Sequence, residues 1–288
     1  MAAQGLHRWC LRAALVLLIA GFLPGIGMAK PARIVSMNVC ADQLLLLLAD
    51  REQIASLSFL ATDISTSMMT EEAAGLPQNH GRSEEILPLE PDLILAGEYT
   101  ARPTVYLLRK LGFEVIDLPV AHSLDDIRAN IRTVADAVGE TARGEAMIAA
   151  FDRKLPKPEE TGYRPLAALY WANGFTSGVG TLASAVVEAA GFRNLGTEIG
   201  VRGIGQVPLE TLISARPDIL IVNEPVEAPA MATQKFRHPA LQTAFLDQER
   251  LVLPPNLWVC GTPDIADAVV SLHKTRAAIT SSTLANAE

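Results

Sequence analysis

The sequence predicts an α/β protein of two similar lobes, each with a central parallel sheet flanked by helices. A long connector helix joins the lobes and a cleft separates them. Three observations carry this. A phrase occurs twice: Glu84-Glu-Ile-Leu-Pro-Leu-Glu-Pro91-Asp92-Leu-Ile-Leu-Ala96 and Glu210-Thr-Leu-Ile-Ser-Ala-Arg-Pro217-Asp218-Ile-Leu-Ile-Val222. Each copy places Pro-Asp seven residues after a Glu and follows it with four unbroken apolar residues, as a strand buried on both faces requires. Short strands alternate with helices of about ten residues in both halves, the pattern of parallel sheets with helical crossovers. Between the halves, Leu124–Leu155 reads as helical almost throughout.

In the first lobe, Arg33–Met37 reads as a strand, Ala41–Ala49 as a helix and Ile54–Ser58 as a second strand. Residues 61–80 read as irregular. The first copy of the phrase follows, then a helix over Pro103–Leu111 closed by Gly112 and a strand over Phe113–Ile116. The connector puts Ile127, Ile131, Val134 and Val138 on one face, breaks at Gly139, and puts Met147, Ile148 and Phe151 on another face. Its second piece, at 1.5 Å per residue, would extend about 22 Å and bridge the lobes. A stiff bridge of this kind implies a small hinge motion rather than wide closure. The second lobe repeats the order: strand Leu166–Tyr170, helix Leu182–Ala190, the second copy of the phrase, helix Pro239–Leu246, strand Arg250–Leu253 and a closing helix over Pro263–Ala278. The divisions expected are residues 1–29, 30–122, 123–162 and 163–288.

Residues 1–29 carry His7, Arg8 and Arg12, an apolar stretch from Ala13 to Leu23, and Gly27-Met28-Ala29 before Lys30. This is the pattern of a signal peptide cleaved near Ala29, with an apolar stretch too short to span a bilayer. Cys10 lies before that stretch, which argues against lipid attachment at the cleavage point. Without Arg8 and Arg12, 22 basic residues face 32 acidic ones, a charge near −10. An acidic exported chain has no electrostatic footprint for nucleic acid or anionic lipid.

Enzyme signals fail one by one. Gly174–Thr181 is glycine-rich before a helix but lacks the lysine of a phosphate loop, and no Gly-x-Ser-x-Gly elbow occurs. His80, His122, His238 and His273 lie in remote segments, unlike the clustered donors of a transition-metal site. Two cysteines, Cys40 and Cys260, are too few for a four-thiolate cluster. They follow equivalent-looking strands, one per lobe. Cleft-lining thiols, a disulfide and plain packing are all open for them; plain packing ranks narrowly first, since a disulfide across the cleft would hinder opening.

Helix-start preference explains one Glu of the phrase easily and two at identical spacing less well. With these residues the chain resembles the periplasmic substrate-binding proteins of ABC importers for iron–siderophore, cobalamin and haem, the group with a helical inter-lobe connector. The marks are Arg33-Ile-Val-Ser36 and the two copies, Glu84…Pro91-Asp92 and Glu210…Pro217-Asp218. The resemblance implies that Glu84 and Glu210 dock on arginines of the membrane-embedded permease dimer, whose ATPase subunits supply the energy. It implies a monomer, with no catalysis and no covalently bound cofactor. It also implies capture of a metal chelate or corrinoid in the cleft, by loops after the strand C-termini. By loop position the ligand-binding candidates are Asn38, Cys40, Tyr99 and Arg102 in the first lobe and Trp171, Asn173, Arg202 and Trp258 in the second. His80, Arg82 and Phe175 stand nearby. Aromatic rings would cover a macrocycle or catechol, and Arg would meet carboxylates. A haem receptor and a direct zinc or manganese receptor remain as alternatives, and a two-lobed metal-cluster enzyme is disfavoured.

Overall fold

The computed structural model describes residues 30–157, 162–222, 238–245, 250–254 and 256–285. The proposed signal peptide lies outside them. In the first lobe five parallel strands stand in the order β3-β2-β1-β4-β5: β1 Ile34–Ser36, β2 Ile54–Ser58, β3 Gln78–Asn79, β4 Leu93–Gly97 and β5 Val115–Leu118. Four helices accompany them: α1 Val39–Leu48, α2 Thr70–Ala73, α3 Ser83–Ile86 and α4 Arg102–Lys110. The stretch 61–80, read as irregular, therefore holds α2 and β3. Strand β3 is only two residues long and is fixed by a side chain: Asn79 Nδ2 donates to the Ser36 and Leu57 carbonyls and to Ser56 Oγ.

Unbroken apolar runs make sense once both faces of the sheet are covered. In β4, Leu93 and Leu95 join the core under α1, while Ile94 and Ala96 join a second cluster with Val105 and Leu108 of α4; all four are within 2% of full burial. Burying a Leu or Ile side chain contributes about 1.5–3 kcal/mol, so neither face tolerates a polar residue.

The second lobe has four parallel strands in the order β11-β10-β6-β8: β6 Leu166–Tyr170, β8 Arg193–Asn194, β10 Ile219–Val222 and β11 Arg250–Val252. An antiparallel ribbon of β7 Phe175–Ser177 and β9 Ile204–Gln206 stands beside them, a feature not expected from the sequence. Its helices are α7 Leu182–Ala189, α8 Leu195–Glu198, α9 Leu209–Ala215, α10 Pro239–Ala244, α11 Asn256–Val259 and α12 Ile265–Ala285. Strand β10 alternates as β4 does, Ile219 and Ile221 to one cluster and Leu220 to the other.

Inside the repeated phrase the two lobes use the same devices. Glu90 and Arg216, just before Pro-Asp, are both left-handed (φ 42° and 47°) and stop the preceding helical turn. The Asp then clamps the lobe's first strand. Asp92 accepts the Ala32 and Arg33 N–H groups at 2.8 and 2.9 Å, and Asp218 accepts the Leu166 N–H at 2.6 Å and the Tyr163 hydroxyl at 3.0 Å.

The connector consists of α5 Leu124–Ala137 and α6 Thr141–Lys154, 14 residues each. It turns at Gly139 and folds back as an antiparallel hairpin, tied by Arg128 to Asp152 and Arg132 to Glu145. Helix α6 still reaches both lobes: Arg143 donates to the Leu48 carbonyl and Asp50 of the first, and Lys154 pairs with Asp267 of α12. One hydrophobic core runs from Ile34 and Leu95 through Ile127, Ile131 and Phe151 to Leu169, Ile221 and Val269.

Asp42, in the first turn of α1, is fully buried and accepts from the Ser58 N–H and hydroxyl. Loss of water pushes its carboxyl up to about 6, and the bonds from Ser36 and Ser58 only partly oppose this. The folded chain therefore holds this proton more tightly than the unfolded chain. The stabilising effect is complete below about pH 4 and lost as pH rises through 6. Urea unfolding of the wild type and Asp42→Asn should show their stability difference moving by about 1–3 kcal/mol against the wild type between pH 4 and 7. A difference constant with pH would refute the assignment.

Candidate functional site

The C-terminal ends of the central strands feed loops into one cavity of about 380 Å³ between the lobes. From the first lobe come Asn38 and Cys40 after β1, Gly97–Tyr99 after β4, and Leu118–His122 at the end of β5. From the second come Trp171 after β6, the turn Gly180–Ala183 that starts α7, Gly203 and Ile204 of the ribbon, and Trp258, Val259 and Gly261 around the end of α11.

Local structure explains these placements. Asn38 caps α1, its Oδ1 accepting the Cys40 and Ala41 N–H groups at 3.0 and 3.4 Å. Its side chain crosses so close to Gly97 that a Cβ there would stand 2.7 Å from Nδ2. Gly97 thus lets β4 end against the α1 cap. Beyond it, the Gly97 N–H donates to Thr100 Oγ1 at 3.0 Å, and Tyr99 is left 79% exposed at the cavity rim. In the second lobe the Trp171 N–H donates to the Phe175 carbonyl at 2.8 Å, which sets the turn into the ribbon. Trp171 and Trp258 both pack against the main core and face the cavity. Neither buried indole N–H meets an acceptor among the described residues. A buried donor left unpaired costs about 1–3 kcal/mol, an expense more common at binding sites than in ordinary cores.

Of the eight ligand-binding candidates, the cavity brings together Asn38, Cys40, Tyr99, Trp171 and Trp258. Arg102, Asn173 and Arg202 are not on its wall. The Arg102 guanidinium is held by the Glu98 carbonyl at 3.2 Å and Asp117 at 2.9 Å. Asn173 occupies a left-handed turn (φ 59°), its carbonyl accepting from Gln206, and the Arg202 backbone bridges to Val179. His80 stacks on Phe59 and pairs with Glu85 away from the cavity. The stretch Pro119–His122 was missed, although it follows the C-terminus of β5, the position that points to the cleft. The charged or titratable side chains on the described wall are Glu98, Tyr99 and His122, with no Arg or Lys.

Cys40 and Cys260 are joined in a disulfide, with Cα atoms 5.1 Å apart. This corrects the reading that ranked plain packing first. Two residues 220 positions apart meet because the lobes touch here. Asn256 Nδ2 donates to the Ile64 carbonyl at 3.1 Å, and a Cβ on Gly261 would stand 2.5 Å from that of Ala121. Such a cross-link removes freedom from the unfolded chain worth about 2–4 kcal/mol.

Glu84 and Glu210 lie in the first turns of α3 and α9, both exposed. Glu85, by contrast, turns back to accept the His80 N–H at 2.6 Å, which holds its carboxyl below the usual range.

A family model described as periplasmic binding protein matches residues 34–251. A cobalamin-binding protein of Halobacterium salinarum is 26% identical over 199 residues, 67% of this chain and 54% of that protein. The chain thus spans about half the length of the curated relatives it matches. Among solved structures, the apo periplasmic heme-binding protein RhuT of Roseiflexus sp. RS-1 superposes with a TM-score of 0.70 at 22% identity, covering 86% of this chain and 98% of that one. The periplasmic vitamin B12 binding protein BtuF of Vibrio cholerae gives 0.64 at 19% identity, covering 87% and 98%. Two lobes with parallel sheets, a helical connector and an inter-lobe cavity accompany a match over most of the described residues: the chain belongs to the periplasmic binding protein family.

Proposed function

We propose that this chain is exported by cleavage near Ala29 and captures a bulky metal chelate with apolar faces in the inter-lobe cavity. It then delivers that cargo to an ABC importer, its permease dimer and its ATPase subunits, without catalysis of its own. The observation that carries the ligand class is the cavity wall: Tyr99, Trp171 and Trp258 among aliphatic groups and amides, with no Arg or Lys among the described lining residues. Haem and ferric catecholates bring carboxylate or net negative charge, whose capture draws on Arg. An amide-rich corrinoid of the cobalamin class, or a ferric hydroxamate, asks for ring faces and neutral hydrogen bonds. The similarity to a cobalamin-binding relative supports the same choice. A bare-metal receptor needs clustered donors, and among the described residues no three His, Cys, Asp or Glu stand so as to hold an ion.

Titrating the protein's tryptophan fluorescence with cyanocobalamin, a ferric hydroxamate, a ferric catecholate, hemin and zinc should give saturable quenching with the first or second. Hemin and catecholate should bind at least tenfold more weakly. Saturation by hemin or zinc alone would sink the reading. Trp258→Ala and Trp171→Ala should each weaken the preferred ligand by roughly 10–100-fold, about 1.4–2.7 kcal/mol.

The two Glu residues give the docking reading its own test. A Glu84→Ala, Glu210→Ala double variant should keep ligand affinity within about twofold and lose stimulation of the importer's ATPase in proteoliposomes. Undiminished stimulation would mean that docking lies elsewhere.

A further inference from the structure

The cross-link between the lobes does more than staple the fold, because its two sulfurs face different surroundings. Cys40 is half-buried and lines the cavity; Cys260 is 2% exposed and does not. On one side of the bond lies α1, capped by Asn38, and on the other the β11–α12 connection that carries Trp258 and Gly261. Apart from the disulfide, the described residues tie that connection to the first lobe through Asn256, which donates to the Ile64 and Ser67 carbonyls at 3.1 and 3.4 Å, through the close pass of Gly261 by Ala121, and through Leu257 and Trp258 on the shared core. The disulfide is the one covalent link across this seam among the described residues. The covalent bond adds to this packing a fixed limit on how far the segment bearing Trp258 can move from α1. The rim residues Tyr99, Val120 and Ile204, 79%, 45% and 65% exposed, carry no such tie.

We propose that Cys40–Cys260 is a redox latch on the cleft, opened from inside the cavity and shielded by whatever occupies it. A thiolate of a dithiol reductant attacks Cys40 Sγ, and the electron pair of the disulfide leaves on Cys260 as its thiolate. The reductant's second thiol then resolves the mixed disulfide. The dithiol gives up two electrons and two protons and becomes a disulfide; Cys40 and Cys260 become two thiols. A ligand against Trp171 and Trp258 covers the line of attack. By linkage, a ligand that favours the latched cavity is held less tightly once the latch is open. The shielding part of this proposal rests on the cargo reading above; the latch itself does not.

The test separates the two. Intact protein is treated with dithiothreitol, with and without saturating cyanocobalamin, and the free thiols are counted by alkylation and mass. Amide exchange of segments 38–44 and 256–264 is followed before and after reduction. Cyanocobalamin dissociation is timed for oxidised, reduced and Cys40→Ser, Cys260→Ser protein. The latch predicts reduction slowed at least tenfold by cyanocobalamin, faster exchange in both segments after reduction, and dissociation about tenfold faster. Unchanged exchange after reduction overturns the latch, and so does global unfolding, because each lobe must stand without it. Unchanged reduction rate with cyanocobalamin demonstrably bound overturns the shielding. Faster exchange with no cyanocobalamin bound at all leaves the latch standing and overturns the corrinoid reading instead.

Discussion

Each lobe depends on one pairing: its first strand against the strand of the repeated phrase, β1 with β4 and β6 with β10. An aspartate fixes that pairing from outside the ladder. Asp92 and Asp218 accept backbone N–H groups at the start of the partner strand, while their own N–H groups donate to the Arg33 and Leu166 carbonyls. A carboxylate holding N–H donors is among the stronger backbone anchors, and here it sets register where a side-chain pattern cannot. Both faces of these strands are apolar, so a slip by one residue would meet no hydrophobic penalty. Register then decides function, because the residues that leave the strands' far ends are the cavity wall: Asn38 from β1, Gly97 from β4, Trp171 from β6.

The phrase was legible because its parts are local. Pro limits the conformation of the residue before it, the four-residue run demands two-sided burial, and both effects are written in adjacent letters. The left-handed turns at Glu90 and Arg216 were not legible, since neither residue type announces positive φ. Strand β3 and the ribbon of β7 and β9 also escaped. Two or three residues give no periodicity, and Asn79 holds β3 by bonds to groups more than twenty residues away in sequence. The disulfide escaped for the same reason at larger scale: spacing of 220 residues says nothing of distance, and even a small hinge motion counted against a bond across the cleft.

The packing between the lobes bears on that motion. Core residues continue from the first sheet through α5 and α6 into the second, and α6 is tied to the first lobe at Arg143 and to the second at Lys154. A cavity whose walls are part of a continuous core needs little ordering if it is to be filled. The rim differs from these packed walls: Tyr99 is 79% exposed and stands two residues before Ala101, a non-glycine residue at φ 25°.

The two Glu residues of the phrase are best understood against what surrounds them. Asp92 and Asp218 each close a backbone anchor, and Glu85 caps the turn at His80. Glu84 and Glu210 make no hydrogen bond or ion pair among the described residues; the charge of Glu210 adds to burial in raising the pKa of the Tyr170 phenol, burial being the larger cause. At first-turn positions each gains about 0.3–1 kcal/mol from the helix dipole, a gain that Asp would supply as well. Folding therefore needs the aspartates of the phrase and not its glutamates. Two outward carboxylates at the same offset from two internal anchors stand at a separation fixed by the fold itself, with the connector and the disulfide holding the lobes that bear them. A partner with two matching cations could read that separation, which is a stronger constraint than either charge alone.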